Sequence, residues 1–289
     1  MAELIGGIEA GGTTFRCATA RVPLSPTTIA DATTVQTATP QQTMDQVLAF
    51  FRSHPIERLG IASFGPLQLD PENPKYGCIL DTPKLAWRGY NLLEVVSSEL
   101  GIPCTINTDV AAAVRAEYHF GAAQGVASCV YATIGTGIGA ASLVNGKSPA
   151  ARFHEEMGHM LIPQHPQDDF DGACIAHDNC LEGLASALAI YQRWNQAAHD
   201  IPNDHLCWDI EATYLATFCV NVTRILSPEL ILLGGGVMQH AGLLDKVRGA
   251  FRDLMGDYHT VDQDQLQNFI RIAQTEPDSG LIGALSLVA

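Results

Sequence analysis

Between Gly158 and Gly183 the chain reads GHMLIPQHPQDDFDGACIAHDNCLEG, and it packs Cys174-x2-His177-x2-Cys180 into seven residues, with His159 fifteen positions upstream of Cys174. Two thiolates and two imidazoles form the soft-to-borderline tetrahedral set that Zn²⁺ prefers. The tight spacing of the C-x2-H-x2-C half is that of a metal site. His165 and the acidic run Asp168, Asp169 and Asp171 lie inside the same loop and compete with His159 for the fourth position. A bound Zn²⁺ would staple an irregular loop with few apolar residues to bury, and binding of this kind supplies on the order of 10 kcal/mol to folding. Four protein ligands leave no open position for a substrate, so the pattern points to a structural ion.

Three glycine clusters could hold an anion. Gly11-Gly12-Thr13-Thr14 and Gly135-Thr136-Gly137 each join two strand-like runs, and Gly234-Gly235-Gly236 follows an apolar one. Glycine lets backbone N–H groups approach an anion without a β-carbon in the way, and threonine hydroxyls add donors. Each turn alone would pass for an ordinary hairpin; together they suggest nucleotide binding. Gly135 to Ala140 also fits the loose G-x-G-x-x-A pattern, but a strand-like run follows where a dinucleotide site needs a helix. No G-x-x-x-x-G-K-[ST] is present.

Carboxylates supply the remaining chemistry. Asp109 follows the apolar run ending at Ile106-Asn107 and precedes Val110-Ala111-Ala112-Ala113. A carboxylate at a strand end beside a helix start can take a proton from a substrate hydroxyl; Asp is equally a common helix N-cap. Glu156 lies three residues before His159, and Glu182 two after Cys180. Pinned by a metal, both glutamates would suit hydrogen bonding to sugar hydroxyls, or they form a solvated face. His154 has a similar, weaker standing, and Arg16 and Lys147 are split between phosphate and solvent.

These residues need a scaffold of alternating strands and helices. The hairpins 4–20 and 128–144 resemble each other about 125 residues apart, which suggests a duplication with two like domains facing across a cleft. The pattern predicts helices over Thr43–His54, Leu92–Leu100, Val110–Phe120, Leu184–Ala198, Ile210–Leu226 and Gly280–Val288, and strands over Leu59–Ser63, Cys104–Asn107 and Leu230–Leu233. Gly65 to Pro83 reads as irregular. The alternation is that of an α/β protein.

The bulk numbers agree. The 289 residues are 47% hydrophobic and 16% charged, which suits a compact α/β enzyme. A net charge of −15 repels phosphate backbones and anionic lipids, so nucleic acid and membranes are not expected as partners. No apolar run approaches the roughly 18 residues of a membrane span, and MAELIGGIEAGG has no leader pattern. Cys17, Cys78, Cys104, Cys129, Cys207 and Cys219 are scattered through mostly apolar stretches, which fits a reducing cytoplasm.

Taken together, the chain resembles the ROK sugar kinases of the actin-like ATPase superfamily, and most closely their bacterial fructokinase branch. The resemblance is carried by Gly7-Ile-Glu-Ala-Gly-Gly-Thr13, Ser63-Phe-Gly-Pro66, Thr82-Pro-Lys84 with Trp87, and Asn107-Thr-Asp109-Val-Ala-Ala-Ala113. It continues through Ile134-Gly-Thr-Gly-Ile-Gly139, Glu156-Met-Gly-His159, the cysteine–histidine loop, Cys180-Leu-Glu-Gly-Leu-Ala185 and Leu233-Gly-Gly-Gly236. It implies two actin-like (ribonuclease H-like) α/β domains around a central cleft with a zinc-stapled loop. The expected limits are residues 1–110 for the smaller domain and 111–277 for the larger, with a helix at about 278–289 returning to the first.

The resemblance further implies an ATP-dependent hexose kinase, most simply one acting on O6 of fructose. Asp109 would be the general base. Gly65, Pro66, Lys84, Thr108, Glu156, His159 and Glu182 would meet the sugar, and Gly11, Gly12, Thr13, Thr14, Gly135, Thr136 and Gly137 the ATP phosphates. Gly235 and Gly236 would lie near the adenosine, and His159, Cys174, His177 and Cys180 would hold a structural Zn²⁺. Mg²⁺ would accompany ATP, and a homodimer is expected. Two departures matter: Thr14 stands where the family commonly has Lys, and Thr108 where ROK glucokinases have Asn. Threonine offers a pyranose one small hydroxyl where asparagine offers a longer amide with a separate carbonyl acceptor and amino donor, which favours fructose over glucose, mannose or an N-acetylated amino sugar. A sugar-sensing ROK repressor would need a DNA-binding segment ahead of the first glycine turn, and a zinc hydrolase would need an open metal position.

Overall fold

The structure, a computed structural model, describes residues 3–149, 153–256, 262–275 and 278–289. The chain forms two compact units. The first comprises Met1–Gly121, Pro149–His154 and Pro277–Ala289; the second comprises Ala122–Ser148 and Glu155–Glu276.

The first unit opens with β1 (Leu4–Ala10), β2 (Thr14–Arg21) and β3 (Ile29–Gln36), followed by α1 (Pro40–Ser53), β4 (Arg58–Ser63), α2 (Leu92–Leu100), β5 (Cys104–Thr108) and α3 (Asp109–Phe120). Its sheet runs β3-β2-β1-β4-β5, antiparallel through the first three strands and parallel from β1 to β5. α1 forms because Met44, Val47, Leu48 and Phe51 recur on one buried face, with Thr39 as cap and Pro40 at the first position. α2 is capped by Asn91 and stopped by Gly101 in the left-handed region at φ +67°. The core beneath them gathers Ile8, Phe15, Ile61, Trp87, Val96 and Ile106.

In the second unit β6 (Ser128–Ile134) and β7 (Ile138–Val144) precede three helices, α4 (Leu181–Ala185), α5 (Ala187–Trp194) and α6 (Cys207–Leu226). Then come β8 (Leu230–Gly234), α7 (Leu243–Met255), α8 (Gln263–Phe269) and β9 (Ile270–Ile272). The sheet runs β7-β6-β8-β9, with the hairpin antiparallel and the rest parallel. Both sheets therefore place the first strand of a hairpin beside a parallel neighbour. α9 (Ser279–Ser286) returns to the first unit. It packs so closely that a β-carbon at Gly60 would strike the Ala284 carbonyl, and one at Gly283 the Ala112 carbonyl.

Several expectations are corrected. The boundary at 110/111 would cut α3, whereas all of α3 belongs to the first unit, because it packs against α9; the chain leaves that unit after Gly121. The other expected limit, residue 277, lies outside the described residues. The single helix expected over Leu184–Ala198 is broken at Ser186, whose hydroxyl caps α5 by accepting from the Ala189 N–H at 3.1 Å. β3, β9, α7 and α8 are elements the pattern reading does not assign, although Leu243, Val247, Phe251 and Met255 mark the buried face of α7.

Candidate active site and metal centre

The parallel strand β5 delivers Asp109 to the first turn of α3. The cap is not Asp109 but Thr108, which has extended backbone and accepts from the Ala111 N–H at 3.2 Å. Asp109 instead takes the Val110 N–H at 2.8 Å and carries its charge at the helix N-terminus, where the dipole favours an anion. Thr108 is 5% exposed, and its hydroxyl, although it accepts at the cap, keeps a proton to donate. Glu9, on β1, is in electrostatic range of Asp109. Burial raises the Glu9 carboxyl above its ordinary range, the Arg16 charge opposes this, and the Asp109 charge adds to it. Arg16 does not wait for phosphate: it binds Glu9 at 3.2 Å and also pairs with Asp278.

The Gly11–Thr14 turn is closed by Gly11 N–H donating to Thr14 O at 2.9 Å. Thr37 holds it from the side, donating its hydroxyl to Gly11 O at 2.8 Å and its N–H to Thr13 O at 2.9 Å. Lys84, expected beside the sugar, lies along this turn: its ε-carbon would be 3.4 Å from a β-carbon placed on Gly12. Gly65 and Pro66 are fixed by Leu80 N–H donating to Pro66 O at 2.7 Å and by Leu67 N–H donating to His154 Nε2 at 3.1 Å. The His154 ring thus orders this loop, a role the sequence reading did not give it.

In the second unit the Gly135–Gly137 turn is braced at both ends. Ala187 N–H donates to Gly135 O at 2.8 Å, and Glu182, expected at the sugar, accepts from Ile138 N–H at 2.9 Å. A strand, β7, follows the turn, so it is not a dinucleotide fingerprint. Gly235 and Gly236 directly follow β8. Glu156 stands at the N-cap and His159 at the end of the short turn Met157–His159, which packs so closely on β7 that a β-carbon on Gly158 would strike the Ile138 carbonyl. Glu155, overlooked in the sequence, takes both the N–H and the hydroxyl of Ser142 on β7, at 2.9 and 2.5 Å. The acidic doublet Glu155-Glu156 was its only signal.

His159, Cys174, His177 and Cys180 come together with their ligand atoms all within 4.8 Å of one another. His159 Nδ1 is 3.6 Å from Cys174 Sγ and 3.5 Å from Cys180 Sγ, and His177 Nδ1 is 3.9 Å from Cys174 Sγ. A tetrahedron with metal–sulfur bonds of about 2.3 Å and metal–nitrogen bonds of about 2.0 Å has S···N edges of about 3.5 Å, so the set fits such an ion. Burial pushes the Cys180 thiol up to about 11, and a divalent cation is the group that would hold its thiolate. The rivals for the fourth place are placed elsewhere. Asp168 binds Arg193 through both oxygens at 3.0 and 2.9 Å and accepts from Tyr214 at 2.5 Å. His165 accepts from the Gln167 N–H, and Asp169 and Asp171 are exposed.

A model of the ROK family matches residues 5–289. A putative fructokinase of Bacillus subtilis (strain 168) is 39% identical over 98% of this chain and 95% of its own. A fructokinase of Pediococcus pentosaceus is also 39% identical, over 98% and 97%. Among solved structures, a ROK family glucokinase from Streptomyces griseus in complex with glucose and AMPPNP matches 98% of both chains with a TM-score of 0.76 at 24% identity; at that identity it speaks for the fold.

Proposed function

This chain belongs to the ROK family, and on that premise we propose that it is an ATP-dependent hexose kinase that transfers the γ-phosphoryl group of ATP to O6 of fructose. The observation that carries the reading is at the start of α3: capping falls to Thr108, and a carboxylate, Asp109, stands at the end of a parallel strand. Asp109 accepts the O6 proton as O6 bonds to the γ-phosphorus. The bond from that phosphorus to the bridging oxygen breaks, and ADP leaves with the electron pair. Such transfer is mostly positioning and charge stabilisation, and the base is worth about 10²–10⁴ in rate.

The glycine turns at Gly11–Thr14 and Gly135–Gly137 are assigned to the phosphates, Gly235 and Gly236 to the adenosine side, and Gly65, Pro66, Glu156 and His159 to the sugar. Mg²⁺, when bound with ATP, would supply neutralisation of phosphate charge. Zn²⁺ is assigned to His159, Cys174, His177 and Cys180 as a structural ion. A reducing cytoplasm is supported by eight cysteines that are all unpaired, and a homodimer belongs to the same reading.

A coupled ATP-to-ADP assay over a hexose panel tests this, with Asp109→Asn as control. Strong turnover on fructose, abolished in a folded Asp109→Asn protein, is expected. Wild-type kcat in that variant would remove Asp109 as the base. Turnover on glucose or mannose alone would keep the kinase and discard the argument from Thr108.

A further inference from the structure

The Gly11–Thr14 turn offers backbone N–H groups and hydroxyls but no charge of its own, in a chain whose net charge is −15. Arg16, two residues on, is committed to Glu9 and Asp278. Lys84 is different. Its side chain runs along the turn beside Gly12, and it has no ion-pair partner among the described residues.

Its backbone is anchored rather than loose. Lys84 O accepts from Trp87 N–H at 2.8 Å, and Lys84 N–H donates to the hydroxyl of buried Thr82 at 3.4 Å. Trp87 is itself buried, with its ring against Phe15 and its Nε1–H donating to Ala38 O at 2.9 Å. Ala38 adjoins Thr37, the residue that holds the Gly11–Thr14 turn from the side. One short segment, Thr37-Ala38, therefore fixes both the glycine turn and the base of Lys84. That arrangement gives a flexible ammonium a defined place to meet an anion.

We propose that Lys84 is a phosphate-binding residue of the nucleotide site, supplying the positive charge that the Gly11–Thr14 turn lacks, and is not a sugar contact. This rests on the kinase reading for the identity of the anion as a nucleoside di- or triphosphate. A charge-assisted bond to phosphate is lost with the ammonium and largely kept by a guanidinium.

The test measures binding of ADP and adenosine by calorimetry, together with the KM values for ATP and fructose, in full-length wild type, Lys84→Met and Lys84→Arg. ADP affinity and kcat/KM for ATP should fall about 10–100-fold in Lys84→Met, with adenosine binding and the fructose KM within about twofold and Lys84→Arg intermediate. An unchanged ADP affinity in Lys84→Met, or a raised fructose KM with ATP unaffected, overturns the proposal. If the wild type phosphorylates no hexose yet Lys84→Met still loses ADP, the kinase reading falls and the phosphate site stands. A wild type that binds no ADP overturns both.

Discussion

Glu211, on α6, is 1% exposed, and neither carboxylate oxygen has a hydrogen-bond partner among the described residues. Burial drives its carboxyl well above the ordinary range, and the Arg193 charge only partly opposes this. One turn earlier, burial and then the Glu211 charge push the Cys207 thiol up to about 12. A carboxyl whose pKa is raised by folding binds more protons folded than unfolded. Its contribution is therefore whole below the unfolded value of about 4.3 and is lost as pH rises towards the folded value. Glu211→Gln should match the wild type near pH 4 and exceed it progressively above that, by about 1.4 kcal/mol per pH unit until the folded value is reached. Thermal melts across that range check this; parallel curves for the two proteins would show that folding does not raise the Glu211 carboxyl. Nothing in the sequence announced Glu211, because its position in α6 follows the same period as its apolar neighbours. Asp109 was legible as chemistry but ambiguous with a cap, and only the dihedral angles and hydroxyl of Thr108 resolve that.

At the scale of elements, the cysteine–histidine loop is held from two sides. The ligand set lies at one end. At the other, Asp168 meets Arg193 of α5 and Tyr214 of α6, with Asp168 1% and Arg193 6% exposed and the guanidinium 4.7 Å from the Phe170 ring centroid. Removing one member of a buried pair leaves an uncompensated charge and costs about 3–5 kcal/mol. Arg193→Met should lower the melting temperature by several degrees and hasten zinc release to a chromogenic chelator; unchanged release would separate the clamp from the metal. Stripping the metal, or Cys174→Ser, should unfold the loop first, read as new protease cleavage between residues 159 and 180. Short spacings such as C-x2-H-x2-C survive as patterns, so the ligand cluster was readable. Asp168, Arg193 and Tyr214 meet only through tertiary packing, so Asp168 read instead as a rival ligand. The break at Ser186 was hidden because Leu184 to Ala198 keeps helical composition across it.

Across the whole molecule, the order β2-β1-β4-β5 within the first sheet is repeated as β7-β6-β8-β9 in the second, with β3 added at the first sheet's edge, but the boundary did not follow the hairpins. α3 could be assigned to its unit only through its packing on α9, which lies far away in sequence. Leu281 and Leu285 of α9 join Ile5, Ala18 and Ala20 in one apolar cluster, and Ala284 meets Ala62 and Ala112. Deleting residues 279–289 should abolish the cooperative melting of the first unit while leaving zinc bound to the second. Metal analysis and limited proteolysis would check both halves, and a truncated protein with an intact first transition would refute the dependence.

The return of α9 also sets an order of assembly during translation. β1, β2 and β4 leave the ribosome early, yet the helix that seals Gly60 and the neighbouring alanines emerges only after the second unit's chain has been made. The second unit can bury its core while the first still waits with one face open. The earliest strands synthesised are thus among the last to be finished, and they are the ones that carry the first glycine turn.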